Sequence, residues 1–511
     1  MNITTFYFAI FVAISVMIYY LCPLKWRWLT LLASNAYFVY CSNTLSMLMV
    51  MLVMILLAYI AGVLFDKYQI RLKMCKVICT AVVVILAGIL IGLKETNFFI
   101  VTGNHIGKIW GLENGFELVS LIAPLGISYF ALTLISYVCD SYWKVVEPEK
   151  NPLKFATYAS FFPLLTSGPV LQYDESYREI ISGHKFQYRN ICFGLQRILW
   201  GLFKKLVISE RIAVIVNTIY GDPEQYTGLY VLLAAAGFAL QLYTDFSGCI
   251  DILLGVAQLY GITLPENFDL PFASANLSEF WRRWHITLGR WLKSYILYPV
   301  LRSAPLQRLG KITGKKLGKK NGKKIPTWVG LLISWFMIGF WHGGTYNYIF
   351  GVGVFFGIAI VLGEVFAPLF DKIILFFDIN TKRFSWRLFQ TIRTLMLFCF
   401  GLSFFKADSV VGGFKQWQMA FSTWNPWILF DGSLYRLGLD EKDFRLLLIM
   451  LLVLAAGGVM RIFQKRPIRE WLAEQGLIFR WSAYIILIFI IIIYGKYGPG
   501  YDAVAFIYGN F

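Results

Sequence analysis

The residues best suited to chemistry are two histidines in apolar surroundings. His285 lies in SEFWRRWHITLGRWLKSYILYP, and His342 lies in SWFMIGFWHGGTYNYIFG. Because an imidazole is costly in hydrocarbon, a membrane protein that keeps one usually uses it. A histidine can take the proton of a hydroxyl, and a second imidazole or a backbone N–H can stabilise an oxyanion. The pair predicts acid–base chemistry inside a membrane. The other two histidines, His105 and His184, stand in polar stretches and are expected at the surface.

His342 comes at the end of a predicted apolar helix. A helix of about sixteen residues carries it roughly 25 Å from the helix start, which places it within the membrane or near its far face. Gly343 and Gly344 predict a backbone break there, and such a break is tolerated at depth where it lines a cavity or packs in protein. Trp341 and Asn347 flank the break and are candidate binding residues. A packing role for His342 is the alternative.

Two polar residues follow a long apolar helix upstream of His285. Asp245 and Ser247 stand in YTDFSGCID, and Ser247-Gly248 are expected to end the helix. An acid near the end of a span is a candidate for substrate binding, with a capping or interhelical role as the alternative.

A second helix is expected to carry His285 itself. Ser278 or Asn276 would cap it, and LPENFDLPF before it is a turn-rich connection. One face of the predicted helix is apolar and aromatic: Trp281, Trp284, Leu288, Trp291 and Tyr295. Arg282 and Arg283 would then snorkel to headgroups or hold the phosphates of an activated acyl donor, two roles that are compatible.

The composition indicates what must position these residues. Hydrophobic residues make up 58% of the 511 and charged residues only 15%, against about 25% charged residues in soluble proteins. The clearest apolar windows are residues 6–22, 45–65, 77–93, 118–139, 228–243, 348–366, 446–460 and 481–494. With weaker windows, we expect about eleven to thirteen spans. The chain is predicted to be an all-α, multi-pass protein of the cell (inner or cytoplasmic) membrane, forming a single membrane domain over residues 1–511.

The net charge of +18 is concentrated in short loops between the predicted spans, as the positive-inside rule requires. Residues 302–324 hold nine Lys and Arg and no acid, which predicts a basic cytoplasmic loop on anionic headgroups, or a docking site for an anionic donor. The partner implied is the lipid bilayer and not nucleic acid. No cluster of cysteines and histidines suggests a metal.

Several motifs resemble the membrane-bound O-acyltransferases (MBOAT). They are TDFSGCIDILLG with LPENFDLPF, FWRRWHITLGRWLKSYILYP, WHGGTYN, PLGISYFALTLISYVCDSYW and FFPLLTSGPVLQY. They occur in the family's order across residues 124–366, which would form the catalytic core. The resemblance is greatest to the bacterial branch that contains the alginate O-acetylase membrane subunit.

The resemblance implies roles for individual residues. His342 matches the hallmark histidine, and His285 matches the second active-site position. Asp245 and the run Trp281 to Trp284 match motif positions near the donor side. The implied reaction passes an acyl group from a cytoplasmic thioester, acetyl-CoA, across the membrane to an extracellular or cell-wall polysaccharide such as an exopolysaccharide. An extracellular SGNH-like acyltransferase is the implied partner, with no tightly bound cofactor.

Other functions are also compatible with the sequence. D-Alanyl transfer from a carrier protein towards teichoic acid belongs to a related branch. A glycan transporter or flippase would also use intramembrane histidines, and a scaffold would need neither imidazole. Within the enzyme hypothesis, His342 is predicted to be the general base and His285 to position or polarise the donor carbonyl, with direct attack by a histidine as a lesser option.

Overall fold

The computed structural model describes residues 1–112 and 115–497. These residues form α-helices and contain no β-strand, which confirms the predicted all-α class. Seven of the helical segments are long and apolar enough to cross a membrane, so the protein is a multi-pass membrane protein. These segments are Leu45–Lys67, Leu72–Lys94, Leu229–Leu259, Lys320–Trp341, Tyr346–Val365, Glu441–Gln464 and Leu477–Tyr494.

Other predicted spans coincide with shorter or interrupted helices. The window at 118–139 becomes helical only at Ile127, after Gly126 adopts a left-handed conformation with φ of 71°. Residues 155–170, one of the weaker apolar windows counted as a predicted span, are divided between the helices Pro152–Ala159 and Phe162–Leu165. The number of spans predicted from hydropathy is therefore larger than the number of long apolar helices in the described residues.

Residue contacts divide the chain into two compact units. The first contains Met1–Leu202 and Cys249–Pro265. Its helices are α1 (Phe6–Leu21), α2 (Arg27–Ser42), α3 (Leu45–Lys67), α4 (Leu72–Lys94), α5 (Thr96–Ile109), α6 (Ile127–Tyr142), α7 (Pro152–Ala159), α8 (Phe162–Leu165), α9 (Tyr173–Ile181) and α10 (Tyr188–Leu202).

Buried polar residues connect the helices of this first unit. The fully buried Asn35 on α2 donates from Nδ2 to the carbonyl of Thr157 at 2.9 Å and accepts from the N–H of Phe162 at 3.0 Å. One amide side chain thereby satisfies the backbone where α7 ends and α8 begins. His105 was expected in a surface loop; it is exposed, as predicted, but it lies on the helix α5.

The second unit contains Phe203–Gly248 and the described residues from Glu266 onward. Its helices are α11 (Glu210–Gly221), α12 (Leu229–Leu259, whose last part belongs to the first unit), α13 (Leu277–Arg283), α14 (Ile286–Leu292), α15 (Tyr298–Arg302), α16 (Ala304–Gly322), α17 (Lys324–Trp341), α18 (Tyr346–Tyr348), α19 (Phe355–Val365), α20 (Ala367–Phe376), α21 (Phe384–Ser403), α22 (Val410–Ser422), α23 (Glu441–Gln464), α24 (Ile468–Ala473) and α25 (Leu477–Tyr494).

Three π-helical segments interrupt these helices. They are π1 (Phe203–Ser209), π2 (Lys293–Leu297) and π3 (Ile349–Val354), and each continues directly into an α-helix. π-Helical turns inside α-helices are frequent at functional sites. In this unit, π1 carries two buried lysines, and π3 packs against the helix that ends at His342.

Three predictions about local structure were wrong. The helix expected to end at Ser247-Gly248 continues as α12 to Leu259. The single helix expected to carry Trp281 to Tyr295 is broken at His285 into α13 and α14. The basic segment at 302–324 is not a loop, because it forms α16 with a non-helical kink at Gly318. Glycine and short polar residues are compatible with either a continuous or a broken helix. Packing against the rest of the protein determines which of the two forms.

Candidate active site

The break between α13 and α14 places His285 in a conformation that few residues adopt. Asn276 caps α13, accepting from the N–H of Glu279 at 2.8 Å, as one of the two predicted caps. The chain leaves α13 extended at Trp284, and His285 then takes φ of 47° and ψ of 51°. A non-glycine residue in this left-handed region is held by its surroundings, and such residues cluster at functional sites. Its side chain is buried.

Asn267 lies directly behind this imidazole. The Oδ1 atom of Asn267 is 3.3 Å from Nδ1 of His285 and accepts from both the N–H and the hydroxyl of Thr287, at 3.1 and 3.0 Å. Its backbone carbonyl accepts from the N–H of Ile286 at 3.1 Å. Phe268 forms a one-residue antiparallel bridge with Trp284. The turn that contains Asn267 therefore supports the break that carries His285.

Trp341 brings the two predicted histidines together. Its ring lies 6.4 Å from the ring of His285 and 4.8 Å from the ring of His342, measured between centroids. His342 is the C-cap of α17 and is buried, with its N–H donating to the carbonyl of Ile338 at 3.1 Å. The ring of Phe246 packs edge-on against His285, with 4.8 Å between the centroids. Both buried imidazoles are thus in ring contact with one indole.

Glycines hold the end of α17 close to π3. A Cβ atom on Gly339 would lie 2.7 Å from Cα of Ile349, and one on Gly353 would lie 2.8 Å from the carbonyl oxygen of Trp335. Gly353 and Gly357 are four residues apart, the spacing that lets membrane helices approach closely. This contact positions the turn at Gly343 and Gly344, where α17 ends beside His342.

Asp245 and Ser247 are bound by two lysines of π1. Lys205 Nζ lies 2.6 Å from Oδ1 of Asp245 and 2.7 Å from Oε1 of Glu210, and all three side chains are at most 3% exposed. The neighbouring Lys204 donates to the Ser247 hydroxyl at 2.9 Å. Removing such charges from water is costly unless they are paired, so this cluster links π1, α11 and α12 electrostatically.

The predicted residues around α13 are placed in different environments. Trp284 packs against Phe268 and Phe280 at 5.1 and 5.6 Å, and Trp281 packs against Trp335 at 4.9 Å. The guanidinium of Arg283 pairs with Glu279 at 2.8 Å, whereas Arg282 is exposed. The tryptophans therefore belong to an aromatic cluster around α13, and Arg282 presents a positive charge at the surface.

Asn347 stabilises the chain after α21. Its Nδ2 donates to the carbonyls of Phe404 and Ala407 at 3.2 and 2.8 Å, and so it ties the turn at 404–407 to the segment that follows His342. The ring of Phe405, in the same turn, lies 6.1 Å from the ring of His342.

Sequence reasoning missed three polar residues of this region. Lys204 and Lys205 stood in the apolar string FKKLVI, where two adjacent lysines are a detectable signal. Asn267 gave no comparable signal, because asparagine between prolines is typical of an ordinary turn.

The fold and this site define a polytopic helical membrane protein with two buried imidazoles that both contact Trp341. The family model for the membrane-bound O-acyltransferases matches residues 34–313, more than half of the chain. The chain belongs to this family. The match includes Asp245, Asn267 and His285 and ends before His342. The inclusion of His342 in the candidate site depends on the WHGG motif and on its contact with Trp341.

Bacterial relatives with assigned names are similar to the chain. It is 29% identical over 351 residues to the peptidoglycan O-acetyltransferase of Helicobacter pylori, an alignment that covers 63% of this chain and 60% of that protein. It is 26% identical over 464 residues to a probable alginate O-acetylase of Azotobacter vinelandii, which covers 90% of this chain and 85% of the relative. The teichoic acid D-alanyltransferase of Bacillus subtilis is 26% identical over 245 residues, covering 45% of this chain and 56% of that protein. The first alignment thus spans less than two thirds of the relative's length.

Proposed function

We propose that the protein is an O-acetyltransferase of the cell (inner or cytoplasmic) membrane that acts with His342 and His285. The observation that carries this proposal is the position of both imidazoles against the single ring of Trp341. In the reaction, a hydroxyl oxygen forms a bond to the acyl carbon, the carbon–sulfur bond of the thioester breaks, and the hydroxyl proton passes to an imidazole. One imidazole serves as the base, and the other faces the developing oxyanion.

The proposed donor is acetyl-CoA at the cytoplasmic side. The exposed Arg282 and the basic helix α16 supply positive charge for its phosphates, and Arg283 is a further candidate. Trp281 and Trp284 would form the wall beside the acyl chain, while Asp245 and Ser247 would act through the lysines of π1 that they bind. The alternative donor is a D-alanyl carrier protein, which the similarity to the teichoic acid enzyme supports.

The proposed acceptor is the hydroxyl of an extracellular or cell-wall polysaccharide. Two of the relatives are named for acetylation of peptidoglycan and of alginate, which supports a glycan without selecting one. An SGNH-like acyltransferase outside the membrane is the proposed partner for the last transfer.

The experiment is transfer of labelled acetyl groups by the purified protein in detergent, with and without an SGNH-like hydrolase partner and a glycan acceptor. His342→Ala should reduce transfer by about 10²- to 10⁴-fold, the contribution of a positioned general base or of a group that stabilises the oxyanion. His105→Ala, a change of an exposed histidine on α5, is the matched control and should have wild-type activity.

Two outcomes would contradict the proposal. If His342→Ala acetylates glycan normally but cells no longer export the glycan, the protein is a transporter. If label moves from a D-alanyl carrier protein and not from acetyl-CoA, the donor assignment is wrong.

A further inference from the structure

We propose that Asn267 is a positioning residue that keeps His285 in the tautomer with its proton on Nδ1, so that Nε2 carries a lone pair. This inference rests on the proposed acyl transfer for its chemical meaning. The tautomer itself follows from hydrogen-bond geometry.

A hydrogen bond from Thr287 fixes the orientation of the Asn267 amide. A backbone N–H can only donate, and the N–H of Thr287 points at one terminal atom of Asn267 at 3.1 Å. That atom must be the oxygen, because the flipped amide would set two donors against each other. The other terminal atom, Nδ2, is buried and has no hydrogen-bond partner among the described residues. The contacts to the oxygen therefore determine the orientation.

The orientation of the Asn267 amide in turn determines which nitrogen of His285 carries the proton. The same oxygen lies 3.3 Å from Nδ1 of His285, and an amide oxygen accepts but does not donate. Nδ1 must therefore carry hydrogen. Because burial in an apolar environment disfavours the charged imidazolium, the resting ring is neutral and its lone pair is on Nε2.

Contacts on both sides hold the turn that contains Asn267. On one side, the N–H of Asp269 donates to the carbonyl of Arg283 at 2.9 Å. On the other, the carboxylate of Asp269 pairs with Arg461 of α23 at 2.9 Å, and Glu266 pairs with Arg469 of α24 at 3.5 Å. Asn267 is completely buried and lies between Glu266 and Asp269 in the sequence. The ion pairs of these two acids therefore hold the turn on both sides of Asn267.

The chemical consequence concerns which substrate group faces His285. In this tautomer Nε2 carries no hydrogen, so it cannot donate a hydrogen bond to a carbonyl oxygen. It can accept a hydrogen bond from a hydroxyl. His285 is then the base: Nε2 takes the hydroxyl proton as the C–O bond forms and the C–S bond breaks, and the imidazolium returns that proton to the leaving thiolate. His342 is left to face the carbonyl. This reverses the assignment predicted from the sequence, in which His342 is the base.

The direct test is ¹⁵N NMR of the histidine-labelled protein in lipid or detergent. The chain has four histidines, so His285 can be assigned by comparison with His105→Ala, His184→Ala and His342→Ala proteins. The expected spectrum shows a protonated Nδ1 and a lone pair on Nε2 for His285 in the wild type, and a mixture of tautomers in Asn267→Leu. A wild-type spectrum with the proton on Nε2 would overturn the proposal.

The kinetic test compares Asn267→Leu, which removes the acceptor, with Asn267→Asp, which keeps it. Asn267→Leu should lower kcat by about 10- to 100-fold without changing KM for acetyl-CoA, a partial loss of the general-base contribution. Asn267→Asp should retain most of kcat, and its carboxylate should stabilise the imidazolium and move the acid limb of the pH–rate profile to higher pH. Unfolding in detergent is measured for both variants, so that a folding defect is recognised.

The possible failures can be told apart. If Asn267→Leu has the kcat and pH profile of the wild type, Asn267 does not position His285. If the wild type itself transfers no acetyl group while the NMR tautomer is as expected, the proposed function is wrong and the hydrogen-bond assignment holds.

Discussion

At the scale of single residues, most polar groups near the two histidines are bound to other protein groups. Asp245, expected at a substrate site, shares Lys205 with Glu210 in an almost fully buried ion cluster. Asn347 is engaged by backbone carbonyls. We infer that such residues contribute indirectly, by holding helices in the positions that place the imidazoles.

Removal of Asp245 should therefore lower the stability of the protein. Asp245→Ala leaves the buried Lys205 paired only with Glu210, and we expect a loss of about 1–3 kcal/mol in the free energy of unfolding, because one buried hydrogen-bond partner is removed. Glu441→Ala, which breaks the exposed i,i+4 pair with Arg445, is the control and should cost less than about 1 kcal/mol. Denaturant unfolding in detergent measures both. Equal stability of the two variants, combined with lost transfer by Asp245→Ala, would instead place Asp245 in substrate binding.

At the scale of elements, both histidines of the candidate site lie where a helix ends or is broken. α13 and α14 are separated at His285, α17 ends at His342, and π3 follows within seven residues of that histidine. The close approach of α17 and π3 depends on glycine, because any side chain at Gly339 or Gly353 would meet backbone atoms. Backbone contact of this kind cannot be relieved by a rotamer change.

We therefore expect Gly353→Ala to separate π3 from α17, lower the thermal unfolding temperature in detergent and reduce acetyl transfer by displacing His342. Gly363→Ala lies on the continuation of the same helix, where an added Cβ meets nothing within 4 Å, and it should leave both properties unchanged. A Gly353→Ala protein with normal stability and activity would show that the α17–π3 contact does not position the site.

At the scale of the whole molecule, the distribution of charge predicts the orientation in the membrane. The basic helix α16 precedes α17, and the basic residues 461–469 follow most of α23, so both belong on the cytoplasmic side by the positive-inside rule. The connection between α22 and α23 would then face outside.

Labelling with a membrane-impermeant maleimide tests this orientation in a cysteine-free background. Lys316→Cys on α16 should react only in inside-out vesicles, and Asp431→Cys in the α22–α23 connection should react in intact cells. The two single-cysteine proteins control for each other, since both positions are exposed. Reaction of both from the same side would contradict the orientation and with it the assignment of the donor to the cytoplasmic face.

The fold class and several local features of this protein follow from its composition and residue spacing. The apolar content determined the all-α membrane class, because backbone polar groups in hydrocarbon must be satisfied within helices. The intramembrane cost of an imidazole pointed to His285 and His342, and glycine at 343–344 predicted the break that the structure has. Asn276 was correctly predicted as a cap because N-capping is a local interaction.

Only the tertiary structure decided how these residues meet. The packing of Trp341 against both imidazoles, the break at His285 and the continuation of α12 past Ser247-Gly248 depend on residues that are distant in the chain. The same holds for Asn267, whose oxygen reaches a residue eighteen positions away. Hydrogen bonds and ring contacts of this kind are set by three-dimensional distance, which helical periodicity and composition do not contain.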